Sequence, residues 1–152
     1  MRKTERKFEF SVVMAVYNVA PFLKEAVRSL ARQTFGFGKI QLILVDDGST
    51  DGSGALCDAF AAKYPRNVVV VHKENGGVSS ARNAGLALAE GRYINFMDPD
   101  DKMSKNAFAE VHRFFQEHGG ETDVVTIPMY FFEAQSGPHW QNYKFANGSR
   151  VI

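Results

Sequence analysis

Three carboxylates within four positions, Asp98, Asp100 and Asp101, follow the apolar run Arg92-Tyr-Ile-Asn-Phe-Met97, interrupted only by Pro99. That much negative charge at the end of a strand-like run calls for a cation. In an extended backbone, residues two apart point to the same side, so Asp98 and Asp100 can jointly hold a hard ion such as Mg²⁺ or Mn²⁺ while substrate phosphates complete its shell. Pro99 stiffens the turn and keeps Asp98 extended. The competing reading is a solvated Asp-Pro turn that caps the helix after it.

Three further polar clusters suit the same chemistry. Asp46 and Asp47, in Asp46-Asp47-Gly48-Ser49-Thr50-Asp51, can accept hydrogen bonds from ribose hydroxyls or from a pyrimidine imino N–H. Gly76-Gly77, after Lys73-Glu74-Asn75, gives the backbone freedom for positive φ and close approach. The N-terminus of the next helix then offers unpaired N–H groups to a phosphate. Arg82, about one turn into that helix, can add a charge-assisted contact to a diphosphate; its alternative role is an ordinary surface position. The fourth cluster is Val16-Tyr17-Asn18. No Walker lysine loop or G-x-G-x-x-G turn is present, so ATP hydrolysis and dinucleotide binding are poorly supported, and a metal-bound sugar nucleotide fits better.

These clusters need a scaffold that gathers them. Apolar runs of strand length alternate with segments of helical period, the pattern of an α/β fold with a mostly parallel sheet flanked by helices. Five strands are expected, at Phe10–Val16, Gln41–Val45, Asn67–His72, Arg92–Met97 and Asp123–Pro128, buried on both faces to judge from their Val, Ile and Leu content. Helical stripes run through Phe22, Leu23, Ala26, Val27, Leu30 and Ala31, through Ala55, Leu56, Ala59 and Phe60, and through Phe108, Val111, Phe114 and Phe115. A fourth helix, about Val78–Ala89, turns Ala81, Ala84, Gly85 and Leu88 inward, thin enough for its backbone to approach the sheet. In a parallel sheet every strand's C-terminal end opens on one edge, and ligands bind there. Each of the four polar clusters follows one of the first four strands, so all four converge on one crevice.

Composition fits a single domain over residues 1–152 with a flexible leader at 1–8: 45% of residues are hydrophobic, and 18 basic side chains face 17 acidic ones. A net charge of +1 without basic clusters beyond Met1–Lys7 argues against a nucleic-acid partner. The basic leader suits a tail or contact with a membrane surface. No run is long enough to span a membrane and no signal peptide is evident, so the expected location is the cytoplasm or the inner face of the membrane. Cys57, the single cysteine, sits in a helical pattern and reads as packing. His72 and His139 read as structural, with metal binding the lesser alternative.

Four segments taken in order, Val12-Val-Met-Ala-Val-Tyr-Asn18, Leu44-Val-Asp-Asp-Gly-Ser-Thr-Asp-Gly-Ser53, Asn75-Gly-Gly-Val-Ser-Ser-Ala-Arg-Asn-Ala-Gly85 and Phe96-Met-Asp-Pro-Asp-Asp101, resemble the family 2 inverting glycosyltransferases with the GT-A (Rossmann-like) fold. The resemblance runs from about Phe10 to Asp101. It implies that Tyr17, Asn18 and Asp47 line a nucleobase and ribose pocket supported by Asp46, with Asn75, Gly77 and Arg82 beside the nucleotide. Asp98 and Asp100 match the family's Asp-x-Asp, which holds the ribose and a Mn²⁺ or Mg²⁺ on the donor diphosphate. The implied reaction moves a sugar from a nucleotide-diphosphate donor, a UDP-sugar first of all, to a saccharide, lipid-linked or cell-envelope polymer acceptor.

Two departures from the pattern stand out. Ala15 replaces a proline common just before Val-Tyr-Asn, and no acidic motif downstream of Asp101 supplies the general base that an inverting transfer needs. Of Glu110, Glu117, Glu121, Asp123 and Glu133, only Glu133, after Met129-Tyr-Phe-Phe132, is a candidate. The chain therefore reads as the donor-binding portion of a longer enzyme, truncated on its C-terminal side. Its aromatic tail, with Tyr130, Trp140, Tyr143 and Phe145, is suited to packing on a next layer or, at Trp140, to an acceptor sugar face. The alternatives are a donor-binding module that is inert without its remainder and a nucleotidyltransferase.

Overall fold

β1 (Phe10–Val16) and β2 (Ile40–Asp46) are apolar along nearly their whole length, and nearly every residue in them is buried. Such strands must be covered on both faces, which places them at the centre of a sheet. In the computed structural model, which describes residues 6–127 and the strand backbones Tyr130–Phe131 and Gly137–Pro138, they are central. The sheet order is β3-β2-β1-β4, with β3 at Val68–His72 and β4 at Tyr93–Phe96, and every pairing is parallel. All four C-terminal ends thus open on one edge, as expected.

Three helices connect these strands: α1 (Ala20–Ala31), α2 (Ser53–Lys63) and α3 (Val78–Leu86). The chain steps from β1 to β2 to β3 in one direction, then returns past β2 and β1 to β4. Right-handed crossovers put α1 and α2 on one face and α3 on the other. Val13, Ile43 and Val45 meet Ala81 on the α3 face, while Val12, Met14, Leu42 and Leu44 alternate to the opposite face. Gly85 explains the close approach of α3, because a Cβ there would lie 2.4 Å from Val13 Cγ1 and 3.2 Å from Val45 Cγ2. The thin-sided helix expected from its small residues is therefore present.

Buried polar residues tie the strands to the loop before β4. Ser11 Oγ donates to Gln41 Oε1 (2.5 Å), Gln41 Nε2 donates to the Leu88 carbonyl (3.0 Å), and the Glu90 and Gly91 N–H groups donate back to Gln41 and Ser11. Every buried polar atom in that group has a partner, as burial requires.

The chain divides into two compact units, Met1–Asn106 and Ala107–Ile152. The first holds the sheet and α1 to α3. The second contains α4 (Ala107–His118), which buries Phe108 and Phe115 seven residues apart, and the two-residue antiparallel strands β5 (Tyr130–Phe131) and β6 (Gly137–Pro138).

Several expectations need correction. Residues 123–127 of the expected fifth strand are not a strand: they take no ladder partner and Val124 is 76% exposed. A β-rich composition forms a strand only where burial and a neighbouring edge support it. β3 and β4 are the sheet's outer strands and are only partly buried, with Ile94 and Phe96 exposed, so burial on both faces holds for β1 and β2 alone. Phe22, Ala55, Ala59 and Leu88 are exposed rather than inward. Leu88 lies beyond the end of α3, and the core of α2 is Ser53 and Cys57. Of the expected leader, residues 6–8 are tied down: Phe8 is buried, its carbonyl accepts from Arg92 N–H, and Arg6 donates to the Gly91 carbonyl.

Candidate nucleotide site

The strand order reverses direction between β1 and β4: α1, which follows β1, and α3, which precedes β4, lie on opposite faces of the sheet. A crevice outside the C-terminal ends of two such strands is the ligand site of open α/β sheets. The loop after β1 carries Tyr17 and Asn18, and the loop after β4 carries Asp98 to Asp101.

The loops after β1 and β2 are stitched together. Asn18 adopts φ 51°, a left-handed conformation that asparagine tolerates. Its Oδ1 accepts the Thr50 N–H at 2.8 Å, and its own N–H donates to Ser49 Oγ at 3.2 Å. Ser53 Oγ and Asp51 Oδ2 accept the N–H groups of Val19 and Ala20, each at 3.0 Å, at the start of α1. The Ser53 hydroxyl and the Ala20 N–H, with other donors, hold Asp51 below the usual carboxylate range.

Asp46 and Asp47 are both buried, and each is fully engaged. Asp46 Oδ1 accepts the Ser49 N–H (3.0 Å) and its Oδ2 meets His72 Nδ1 (2.9 Å). Burial opposes its ionisation, but the hydrogen bonds from Ser49 and His72 outweigh burial and hold it below the usual aspartate range. Asp47 accepts Lys73 Nζ at 2.6 Å and the N–H groups of Gly76 and Gly77 at 3.0 and 2.8 Å. Here too burial is outweighed, by Lys73 first and then by the two glycine N–H groups. Asp47 thus clamps the third loop to the second, and its donors come from the protein. Gly77 takes φ 86° directly before α3, the positive φ expected of the Gly-Gly pair, although its N–H and that of Gly76 are taken by Asp47.

After β4 the chain turns sharply: the Asp101 N–H donates to the Asp98 carbonyl at 3.1 Å, with Pro99 buried inside the turn. The extended alternation assumed for Asp98 and Asp100 is therefore replaced by a β-turn, which proline favours at its second position. Arg82 Nη2 donates to Asp98 Oδ1 at 2.7 Å, joining α3 to the loop after β4. Asp100 is exposed. Asp101 is held above the usual carboxylate range, by partial desolvation first and then by the charges of Asp100 and Asp98.

The structure thus joins Asn18, Asp46 and Ser49, joins Asp47, Gly76 and Gly77, and pairs Arg82 with Asp98. Tyr17, Asn75 and Asp100 stand exposed at the same edge. Glu133, His139 and Trp140 lie outside the described residues, as does Pro128. No role was read from the sequence for Lys73 or Asp51, nor for the contact of His72 with Asp46; a position at a strand end or within five residues after it was the available signal. Cys57 is buried, and burial pushes its thiol up to about 12, with the charges of Asp46 and Asp58 adding to the shift.

Among the described residues no group of three or more His, Cys, Asp or Glu is arranged to hold a metal. Asp98 and Asp100 can still supply two hard oxygen ligands, which suits Mg²⁺ or Mn²⁺ once phosphate and water oxygens complete the shell.

A parallel sheet with a switch point, two buried aspartates and a Gly-Gly turn before a helix define an α/β nucleotide-binding protein. The chain belongs to glycosyl transferase family 2, whose family model matches residues 11–150. It is 51% identical, over all of its length and 17% of the relative's, to the minor teichoic acid biosynthesis protein GgaB of Bacillus subtilis (strain 168). Over 80% of this chain and 21% of the relative it is 32% identical to the poly(ribitol-phosphate) beta-N-acetylglucosaminyltransferase TarS of Staphylococcus aureus (strain Mu50). The fold is GT-A: the structure of S. aureus TarS 1-349 in complex with UDP aligns with a TM-score of 0.68 at 31% identity, covering 74% of this chain and 33% of that one. TarS 1-349 has also been solved with UDP-GlcNAc. The chain spans about a fifth or less of the length of these two relatives. Membership of this family leaves the nucleotidyltransferase alternative without support.

Proposed function

We propose that this chain is the donor-binding portion of a glycosyltransferase that moves a sugar from a UDP-sugar to a cell-envelope polymer of the teichoic acid kind, with inversion at the anomeric carbon. The observation that carries the reading is the convergence of Asn18, Asp46, Asp47, Arg82 and Asp98 on the switch-point edge. Support for uridine comes from TarS, a relative solved with UDP and with UDP-GlcNAc, and support for the acceptor from the names of GgaB and TarS.

In this reading the loops after β1 and β2 form the wall for base and ribose. The exposed N–H groups at the start of α3 and the Arg82 guanidinium face the diphosphate. Asp98 and Asp100 would hold a divalent cation, which supplies Lewis-acid stabilisation of the departing diphosphate. Arg82 exchanges its Asp98 contact for the diphosphate oxygens and shares the charge of the leaving group. Inversion requires a base for the acceptor hydroxyl. None is assigned among the described residues, and Glu133 is the sequence candidate. The reaction takes place at the inner face of the membrane, where a basic leader suits an anionic surface.

The second reading, a donor-binding module that does not transfer by itself, is favoured by that unassigned base. Incubating the chain with UDP-GlcNAc, Mn²⁺ and a ribitol-phosphate polymer, and following label in the polymer, distinguishes the two readings. Label above the acceptor-free background supports transfer, and donor binding without label supports the module.

A further inference from the structure

His72, the last residue of β3, stands between two carboxylates. Its Nδ1 is 2.9 Å from Asp46 Oδ2 and its Nε2 is 2.9 Å from Asp58 Oδ1 on α2. Asp46 is almost fully buried, at 9% side-chain exposure, whereas Asp58 is 64% exposed. The chain of bonds continues inward and then to the neighbouring loop: Asp46 Oδ1 accepts from Ser49 N–H, and Ser49 Oγ accepts from Asn18 N–H. A route of hydrogen bonds therefore runs from α2 through His72 to the loops after β2 and β1. The first turn of α2 closes on the same pair, since a Cβ at Gly54 would lie 2.6 Å from Asp46 Oδ2 and 3.5 Å from His72 Cε1.

We infer that His72 is a positioning residue of the donor site, locking the Asp46 carboxylate so that the loops bearing Asn18 and Ser49 form one fixed wall for the base and ribose. The inference rests on the donor-site reading above. His72 touches no ligand in this arrangement. A buried carboxylate that loses a donor must find another or rotate, because leaving it unsatisfied is costly. Rotation of Asp46 releases Ser49 N–H and, through it, Asn18.

The two contacts of His72 are unequal. The imidazolium donates to both carboxylates, while the neutral ring has one N–H to give. Leaving buried Asp46 unpaired costs more than leaving Asp58 to water, so the neutral ring keeps Nδ1–H on Asp46. The groups facing His72 are Asp46 from β2 and Asp58 from α2, and the same two carboxylates act on the buried Cys57 of α2. The Cys57 thiol stays protonated. Within the following loop, Lys73 is committed to Asp47. Hydrogen bonds to Asp46 first and Asp58 second raise the His72 pKa above its ordinary value. The stabilisation that accompanies this shift is accordingly present in full below about pH 6.5, the unfolded value, and is lost as pH rises through the raised folded value, which leaves the neutral ring its one hydrogen bond to Asp46.

The test compares His72→Ala, His72→Asn and His72→Gln. The asparagine amide nitrogen takes the place of Nδ1 and can still donate to Asp46, whereas the glutamine amide takes the place of Nε2. UDP affinity is measured by titration calorimetry at pH 8 with Mn²⁺, where the phosphates are fully ionised. His72→Ala and His72→Gln are expected to weaken UDP about tenfold, the usual worth of a lost hydrogen bond to a charged group. His72→Asn is expected to restore most of the affinity. In the unaltered chain, NMR is expected to show the neutral ring as the Nδ1–H tautomer. Asp58→Asn is expected to lower the His72 pKa and leave UDP affinity unchanged. Equal affinities for the asparagine and glutamine variants, or wild-type affinity in His72→Ala, would overturn the inference. If the unaltered chain binds no uridine nucleotide, the donor reading fails, and amide exchange at Ser49 and Thr50 decides the inference instead. Faster exchange in His72→Ala and His72→Gln than in His72→Asn then supports it, and equal exchange overturns it.

Discussion

Lys73 Nζ and Asp47 Oδ1 meet at 2.6 Å, with the carboxylate only 4% exposed. This pair, with the N–H groups of Gly76 and Gly77, fastens the loop after β3 to the end of β2. It makes Asp47 a clamp on the crevice as well as a candidate ligand contact.

Lys73→Met removes the charge that compensates a buried carboxylate and is expected to destabilise the chain by about 1–3 kcal/mol at pH 7. The folded pKa of Asp47 is depressed, so the stabilisation is present above its unfolded value of about 3.9 and fades as pH falls through the folded value. Urea denaturation of both proteins at pH 7 and pH 3 is expected to show the gap narrowing in acid. A gap that is unchanged or wider at pH 3 contradicts the ion pair.

Asp47→Ala is expected to reduce UDP affinity by about 1–3 kcal/mol, because it frees Gly76 and Gly77 at the edge of the site. A thermal-shift panel of UDP, GDP, CDP and TDP reads the effect. An unchanged UDP response in the variant removes Asp47 from the site.

Gly85→Val forces side-chain atoms into Val13 and Val45, where even a Cβ would sit 2.4 Å from Val13 Cγ1. Overpacking of this kind costs about 1–3 kcal/mol or more, and α3 carries Arg82 and begins directly after Gly77. A lowered urea midpoint with an unchanged slope is the expected result; an unchanged midpoint contradicts the close packing of α3.

Transfer is expected to be slow in this chain, since loss of general-base catalysis alone costs about 10²–10⁴-fold. UDP release from UDP-GlcNAc is expected at a low rate that added polymer does not raise. Acceptor-stimulated turnover would place the base within the chain, with Glu133 the first residue to replace.

The parallel sheet and the gathering of polar loops at one of its edges were legible because strand-length apolar runs and the polar loops after them are local signals. Gly85 was readable for the same reason: small residues at helical spacing announce a thin helix. The contacts among those loops were not legible. Lys73, Asp51 and His72 act on residues 26 to 31 positions away in sequence, and no local pattern specifies such partners. Asp98 and Asp100 were placed at the right edge but with the wrong backbone, because Pro99 fits a turn as well as an extended strand end. The segment at 123–127 failed for the opposite reason: its β-rich residues lacked a partner strand.

The most direct measurement is calorimetric titration of the chain with UDP and with GDP, in Mn²⁺ and in EDTA, repeated with Asp100→Ala. UDP is expected to bind more tightly than GDP and more tightly with Mn²⁺, and Asp100→Ala is expected to abolish the metal dependence by removing one of two hard oxygen ligands. Equal UDP affinities with and without metal would contradict the Asp98 and Asp100 assignment, and no binding of UDP in any condition would contradict the donor site itself.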